Sequence, residues 1–195
     1  MFFRNLEKYH IILGSKSPRR LQLLKETGIN PEVLVFNGDD EDYPSHLSEI
    51  EIPVFLAKKK ANPYINIIQN TNKLVITADT IVWINNHVVG KPENRIHAVE
   101  ILQTLSGKWH QVITGVCLTT HLWTKSFHVT TDVLFKVLSM DEINYYLDHY
   151  QPYDKAGAYG IQEWIGYIAI KEIKGSYFNV MGLPIQRLTE EFLTI

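Results

Sequence analysis

Asp79 stands in Ala78-Asp79-Thr80 between two apolar runs, Leu74-Val75-Ile76 and Ile81-Val82-Trp83-Ile84. Burying an ionised carboxylate there costs several kcal/mol unless a metal, a cation or hydrogen-bond donors compensate it. Magnesium is one such partner. Glu41, in the acidic run Asp39-Asp40-Glu41-Asp42, offers a second oxygen ligand, because magnesium takes few carboxylates and completes its shell with water and substrate phosphates. The plainer alternatives are a strand-end Asp bonded to nearby N–H groups and a solvated acidic loop.

Other segments carry groups suited to a phosphorylated, planar ligand. Ser15-Lys16-Ser17-Pro18-Arg19-Arg20 opens a helix, whose N-terminus presents unpaired N–H groups and a positive dipole end. Its hydroxyls and guanidiniums add donors for phosphate oxygens. Lys60 and Lys91 each supply a point charge, Lys91 from the stiff turn Gly90-Lys91-Pro92. Asp154-Lys155-Ala156-Gly157-Ala158-Tyr159-Gly160-Ile161-Gln162 combines glycines, an aromatic ring and an amide, which suits close backbone approach, stacking and hydrogen bonding to a base. Each also has a structural explanation: an ordinary Ser-Pro cap, a solvated lysine face, a glycine-rich turn over a sheet. His110 has no Ser, Cys or His partner at metal spacing, which points to a supporting or structural role.

These groups need elements to hold them. Ile11-Ile12-Leu13 predicts a strand feeding a helix that Ser17 caps, Pro18 begins and Gly28 ends. A strand over 32–36 follows, then the acidic loop, and Pro53 opens a second helix carrying Lys58, Lys59 and Lys60. Asp79 falls in or beside a sheet, and Asn85-Asn86 before His87-Val88-Val89 is hairpin chemistry. Ile96, Val99, Leu102 and Leu105, ahead of Gly107, predict a helix laid across a core. Thr-rich runs over 112–120 and 127–137 predict paired strands. Ser139-Met140-Asp141-Glu142 is a capping box ahead of Ile143, Tyr146 and Leu147, and Ile185, Leu188 and Phe192 mark a closing helix. The expected class is mixed α/β, one domain over 1–195 with two lobes sharing the sheet.

Composition narrows the function. The 195 residues are 45% hydrophobic, enough for a sizeable core, and 19 Lys+Arg against 21 Asp+Glu leave a net charge of -2. Such a chain lacks the general positive field of a nucleic-acid binder, so any basic site is local. The single cysteine, Cys117, excludes an internal disulfide and a Cys-based zinc site. The longest stretch free of Asp, Glu, Lys and Arg, 109–124, falls short of the roughly 20 apolar residues of a membrane span. The N-terminal region lacks a signal peptide's apolar core. A cytoplasmic protein with neither membrane nor nucleic acid as partner is expected. There is no Walker phosphate loop, G-x-G-x-x-G, H-E-x-x-H or G-x-S-x-G.

Taken in order, the segments resemble the Maf-like family of nucleoside triphosphate pyrophosphatases, once described as septum-formation inhibitors. The resemblance runs from about Ile11 to Leu188. It is carried by Ser15 to Arg20, Asp40-Glu41, Leu56 to Ala61, Ala78-Asp79-Thr80, Gly90-Lys91-Pro92, Leu105-Ser106-Gly107 with His110, Asp154 to Gln162 and Asn179 to Pro184. It implies an elongated mixed β-sheet flanked by helices with a central cleft. It also implies hydrolysis of a nucleoside triphosphate to monophosphate and pyrophosphate with a divalent cation, Mg2+ or Mn2+. The Asp154 to Gln162 segment is similar to that of the subgroup acting on dTTP and UTP.

By the matching positions Asp79 is the proton acceptor or, with Glu41, the metal-site carboxylate, and Arg19, Thr80 and Gln162 set specificity. Ser15, Ser17, Arg20, Lys60 and Lys91 form the expected phosphate-binding set. Gly14 stands where Ala is commoner, and Glu163 follows Gln162 where the family usually has Gly, which bears on the pocket rim and substrate preference. The alternative function is a nucleotide- or protein-binding regulator of division without chemistry, against which the intact Asp79, Lys60 and Lys91 speak. A homodimer is compatible with the sequence.

Overall fold

The computed structural model describes residues 3–36 and 42–195 and is mixed α/β. The first elements are β1 (His10–Leu13), α1 (Pro18–Glu26), β2 (Glu32–Val33), α2 (Glu51–Ala61), α3 (Ile65–Ile68), β3 (Lys73–Ile84), β4 (His87–Val89) and α4 (Arg95–Leu105). They are followed by β5 (Trp109–Thr119), β6 (Thr124–Phe135), α5 (Met140–Tyr150), α6 (Trp164–Ala169), β7 (Ile170–Lys174), α7 (Tyr177–Met181) and α8 (Ile185–Leu193). Among the described residues the strands form one sheet in the order β2-β1-β3-β5-β6-β7, with β4 paired to β3. β1 is parallel to both neighbours, Ile12 pairing with Glu32 and Val75, whereas β4 and β7 run antiparallel to β3 and β6. No helix among the described residues is long and apolar enough to cross a membrane.

β3 is an interior strand, and residues 74–79 are all buried. That accounts for apolar residues at successive positions rather than in alternation. The two runs flanking Asp79 are therefore a single strand. Asn85 and Asn86, at φ 54° and 61°, supply the left-handed pair that a two-residue loop to β4 requires.

The chain divides into two compact units, Met1–Asp79 with Thr114–Val129 and Gly182–Ile195, and Thr80–Ile113 with Thr130–Met181. In the first, Ile12, Tyr64, Ile68 and Val75 form a cluster joined by Leu34, Phe36 and Ile67. Tyr64 Oη donates to the Leu34 carbonyl at 2.6 Å. A Cβ at Gly14 would lie 2.7 Å from Tyr64 Oη and 2.8 Å from Thr77 Cγ2, so the packing at the end of β1 leaves no room for the commoner Ala. In the second unit α4, α5 and α6 place Leu102, Leu105, Tyr146, Leu147 and Ile165 against Val112, Val133 and Phe135.

Local expectations shift in three places. The strand foreseen over 32–36 is only Glu32–Val33, because Leu34 and Phe36 turn onto the Tyr64 cluster. α2 starts at Glu51, ahead of Pro53, which is tolerated because first-turn N–H groups have no helical partner. Ile96 is 74% exposed, and α4 instead buries Ala98, Ile101, Leu102 and Leu105. A strict three-residue repeat drifts around a 3.6-residue turn.

Candidate active site

The loop and first turn of α1 are organised by their own hydroxyls. Ser17 Oγ accepts from the Arg20 backbone N–H at 3.5 Å, Pro18 takes the first helical position, and Ser15 Oγ accepts from the Ser17 N–H at 3.3 Å. Arg20 then reaches back across this turn. Its Nη1 donates to Ser15 Oγ at 3.1 Å and to the Ala78 carbonyl at 2.9 Å, and its Nε to the Gly182 carbonyl at 2.8 Å. One planar fork thus ties the loop before α1, the middle of β3 and the segment entering α8. Because Ala78 precedes Asp79, the backbone carrying the carboxylate is held from α1.

Lys60 comes from the last turn of α2. Its Nζ lies 2.6 Å from Asp79 Oδ1, with both side chains largely buried. Of the compensations open to a buried carboxylate, the structure supplies a cation. The helix is fixed to the strand by Thr77 Oγ1, which donates to the Ala57 carbonyl at 2.7 Å. It also lies close against β5: a Cβ at Gly115 would stand 2.3 Å from the Pro53 carbonyl. Arg19, beside Arg20 on α1, is half-buried. Glu41 lies outside the described residues, and among those described no three His, Cys, Asp or Glu are grouped to hold a metal. A carboxylate beside a lysine still suits a cation that arrives with phosphate oxygens and water as its other ligands.

The second unit holds Thr80, Lys91 and Gln162. Thr80 is half-buried and Lys91 exposed. Gly157, at φ 71°, donates its N–H to the Gly90 carbonyl at 3.0 Å, so the turn bearing Lys91 is bound to the segment bearing Gln162. Gln162 Oε1 is buried without a hydrogen-bond partner, an acceptor of the kind a bound ligand satisfies.

Tyr159 does not serve as the stacking ring that the sequence suggested. It is buried, its hydroxyl 2.8 Å from His110 Nε2 and its ring edge-on to Phe135 at 4.9 Å. Burial pushes its hydroxyl above the usual phenol range and lowers His110 to about 4, leaving a neutral imidazole in a structural role. Sequence reasoning missed Tyr146 as a polar group. Its position marks it as an apolar residue of α5, yet its Oη accepts from the Gly160 N–H at 3.0 Å and donates to Glu163. Lys155 Nζ joins them, 3.1 Å from Glu163 Oε1 and 2.7 Å from Asp154 Oδ1.

Residues 10–194 match the family described as Maf-like protein. The chain belongs to that family. The Maf-like match takes in every segment just described, from the α1 loop to α8. The dTTP/UTP pyrophosphatase of Bacteroides thetaiotaomicron is 57% identical over 187 residues, covering 96% of both chains. A protein of the same name from Porphyromonas gingivalis is 50% identical over 189 residues, 96% of this chain and 94% of that one. Another from Flavobacterium johnsoniae is 44% identical over 195 residues, the whole of both.

Proposed function

We propose that this Maf-like chain hydrolyses dTTP and UTP to the nucleoside monophosphate and pyrophosphate. The observation that carries the reading is the buried Asp79 carboxylate held 2.6 Å from the Lys60 ammonium, on a strand whose backbone Arg20 pins at Ala78. Relatives of 44% to 57% identity bearing the name dTTP/UTP pyrophosphatase support it.

In this reading Asp79 orients a water and takes its proton as the water oxygen bonds to the α-phosphorus. The bond from that phosphorus to the bridging oxygen breaks, and pyrophosphate leaves with the electron pair. Lys60 fixes the carboxylate and places positive charge beside the phosphates, with Lys91 and the Ser15-to-Arg20 turn as further phosphate donors. Arg20 contributes chiefly through the protein oxygens it holds. A divalent cation, held by Asp79 and Glu41, would neutralise triphosphate charge when bound. Arg19 and Thr80 are assigned to selecting the nucleotide along with Gln162. The Gln162 carboxamide can accept from the ring N–H and donate to a ring carbonyl of uracil or thymine, whereas cytosine presents the reverse pattern. A cytoplasmic location, where nucleoside triphosphates are made and used, belongs to the same proposal.

The test is incubation of the purified chain with each common triphosphate and Mg2+, products being separated by ion exchange. UMP and dTMP with equimolar pyrophosphate are expected. Absence of monophosphate and pyrophosphate from every triphosphate would overturn the reading.

A further inference from the structure

We infer that Glu163 is a positioning residue for substrate selection, its carboxylate bracing the turn that presents Gln162. The inference rests on the reading of Gln162 as the base contact. Residues 160–163 form a turn closed by the Glu163 N–H donating to the Gly160 carbonyl at 3.0 Å. Its exit is fixed by the Gly166 N–H donating to the Glu163 carbonyl at 2.8 Å. Backbone bonds of this kind define the turn; the side chains determine where it sits. Tyr146, from α5, grips both ends, taking the Gly160 N–H and giving its own proton to Glu163. Lys155 adds the charge that balances the carboxylate, with side-chain exposures of 10% and 19% for Lys155 and Glu163.

The fit is tight on the glycine side as well. A Cβ at Gly160 would lie 2.7 Å from the Glu163 carboxyl carbon, so the carboxylate rests against the bare face of Gly160. Between these residues lie only Ile161, buried in the core, and Gln162, whose Oε1 is buried without a partner. Burial, then the hydrogen bond to Glu163 and its charge, push the Tyr146 hydroxyl above the phenol range, which favours the protonated form that donates to Glu163. A glycine at 163 would leave Lys155 to Asp154 alone and deprive the Tyr146 hydroxyl of its acceptor. Gln162 would then hang from a turn with one of its two side-chain braces gone. Displacements well under 1 Å in a binding group already change recognition measurably.

The experiment is steady-state kinetics on UTP, dTTP and CTP with the full chain and Mg2+, comparing wild type with Glu163→Ala, Glu163→Gln, Tyr146→Phe and Gln162→Ala. Glu163→Ala is expected to raise KM for UTP and dTTP roughly tenfold with kcat within about twofold, and to cut the UTP-over-CTP preference by a similar factor. Glu163→Gln keeps an acceptor oxygen and recovers part of the loss, and Tyr146→Phe moves KM and preference in the same direction as Glu163→Ala. A merely destabilised protein would lose active fraction on all substrates alike, leaving KM and preference unmoved.

If Gln162→Ala leaves the preference at its wild-type value, the assignment of Gln162 fails, and the positioning role with it. If Gln162→Ala removes the preference while Glu163→Ala leaves KM and preference unchanged, only the role of Glu163 is overturned. Should Glu163→Ala not fold, wild-type preference in both Glu163→Gln and Tyr146→Phe overturns it equally.

Discussion

Lys60 Nζ lies 2.6 Å from Asp79 Oδ1, with the two side chains 16% and 8% exposed. At that burial neither charge is fully solvated, and each depends on the other. Asp79→Asn is expected to lower kcat at least about a hundredfold, the loss of a general base or metal carboxylate. Lys60→Met leaves the carboxylate buried and unpaired and should cost about 3–5 kcal/mol of stability. The double variant Lys60→Met/Asp79→Asn recovers much of that stability and none of the activity. Urea unfolding with turnover measured on the same samples separates the two effects, and non-recovery of stability would show that the pair is not coupled.

Arg20 is a tie among three protein oxygens, and geometry makes it irreplaceable by lysine. A planar guanidinium meets Ser15 Oγ and the Ala78 and Gly182 carbonyls from one side chain, which a single ammonium cannot span. Arg20→Lys is expected to lose about 1–3 kcal/mol, the range for leaving buried acceptors unsatisfied. Turnover should fall as well, since the Ala78 carbonyl adjoins Asp79. A denaturant midpoint equal to wild type would argue against the tie.

What the sequence made legible follows from how local each signal is. Ser17 as cap, the Asn85-Asn86 turn and the Ser139-to-Glu142 capping box are written in neighbouring residues, and all three form as the residue types require. The class was legible because strand and helix periods alternate along the chain. Contacts between distant residues were not. Nothing in the Lys58-Lys59-Lys60 run says that Lys60 is the one aimed at Asp79, and nothing near Arg20 says that it spends its fork on Gly182, 162 residues away. Tyr159 is a case of the same kind. The glycines around it suited either stacking on a base or a turn over the sheet, and only the packing of its ring beside His110 and Phe135 decides for the second.

Glycines divide sharply by what surrounds them. A Cβ at Gly115 would stand 2.3 Å from the Pro53 carbonyl, and one at Gly166 1.8 Å from the Ile161 carbonyl oxygen. Both obstacles are backbone and cannot rotate aside. Gly115→Ala and Gly166→Ala are each expected to cost at least about 3 kcal/mol. Gly28, at φ 80° with nothing within 4 Å of the added carbon, pays only for its left-handed backbone, so Gly28→Ala should cost about 1–2 kcal/mol. Thermal melts of the three variants check the order, and a Gly115→Ala protein as stable as Gly28→Ala would refute the close approach of α2 to β5.

His110 makes stability depend on pH in a window that its burial defines. The imidazole is 2% exposed, and burial lowers it from 6.5 to about 4. The unfolded chain therefore takes up a proton near pH 6.5 that the folded chain refuses until about pH 4. The stabilisation from keeping it neutral is fully present above pH 6.5 and is lost as pH falls towards 4. By pH 5 the loss is about 2 kcal/mol. His110→Gln removes the titration. Its stability deficit relative to wild type, measured by urea unfolding, should therefore narrow by that amount between pH 7.5 and pH 5, whatever the substitution costs at neutral pH. Carboxylates that titrate in the same range are common to both proteins and cancel in the difference. A deficit that stays constant across the window would mean that His110 protonates as readily in the folded chain as in the unfolded one.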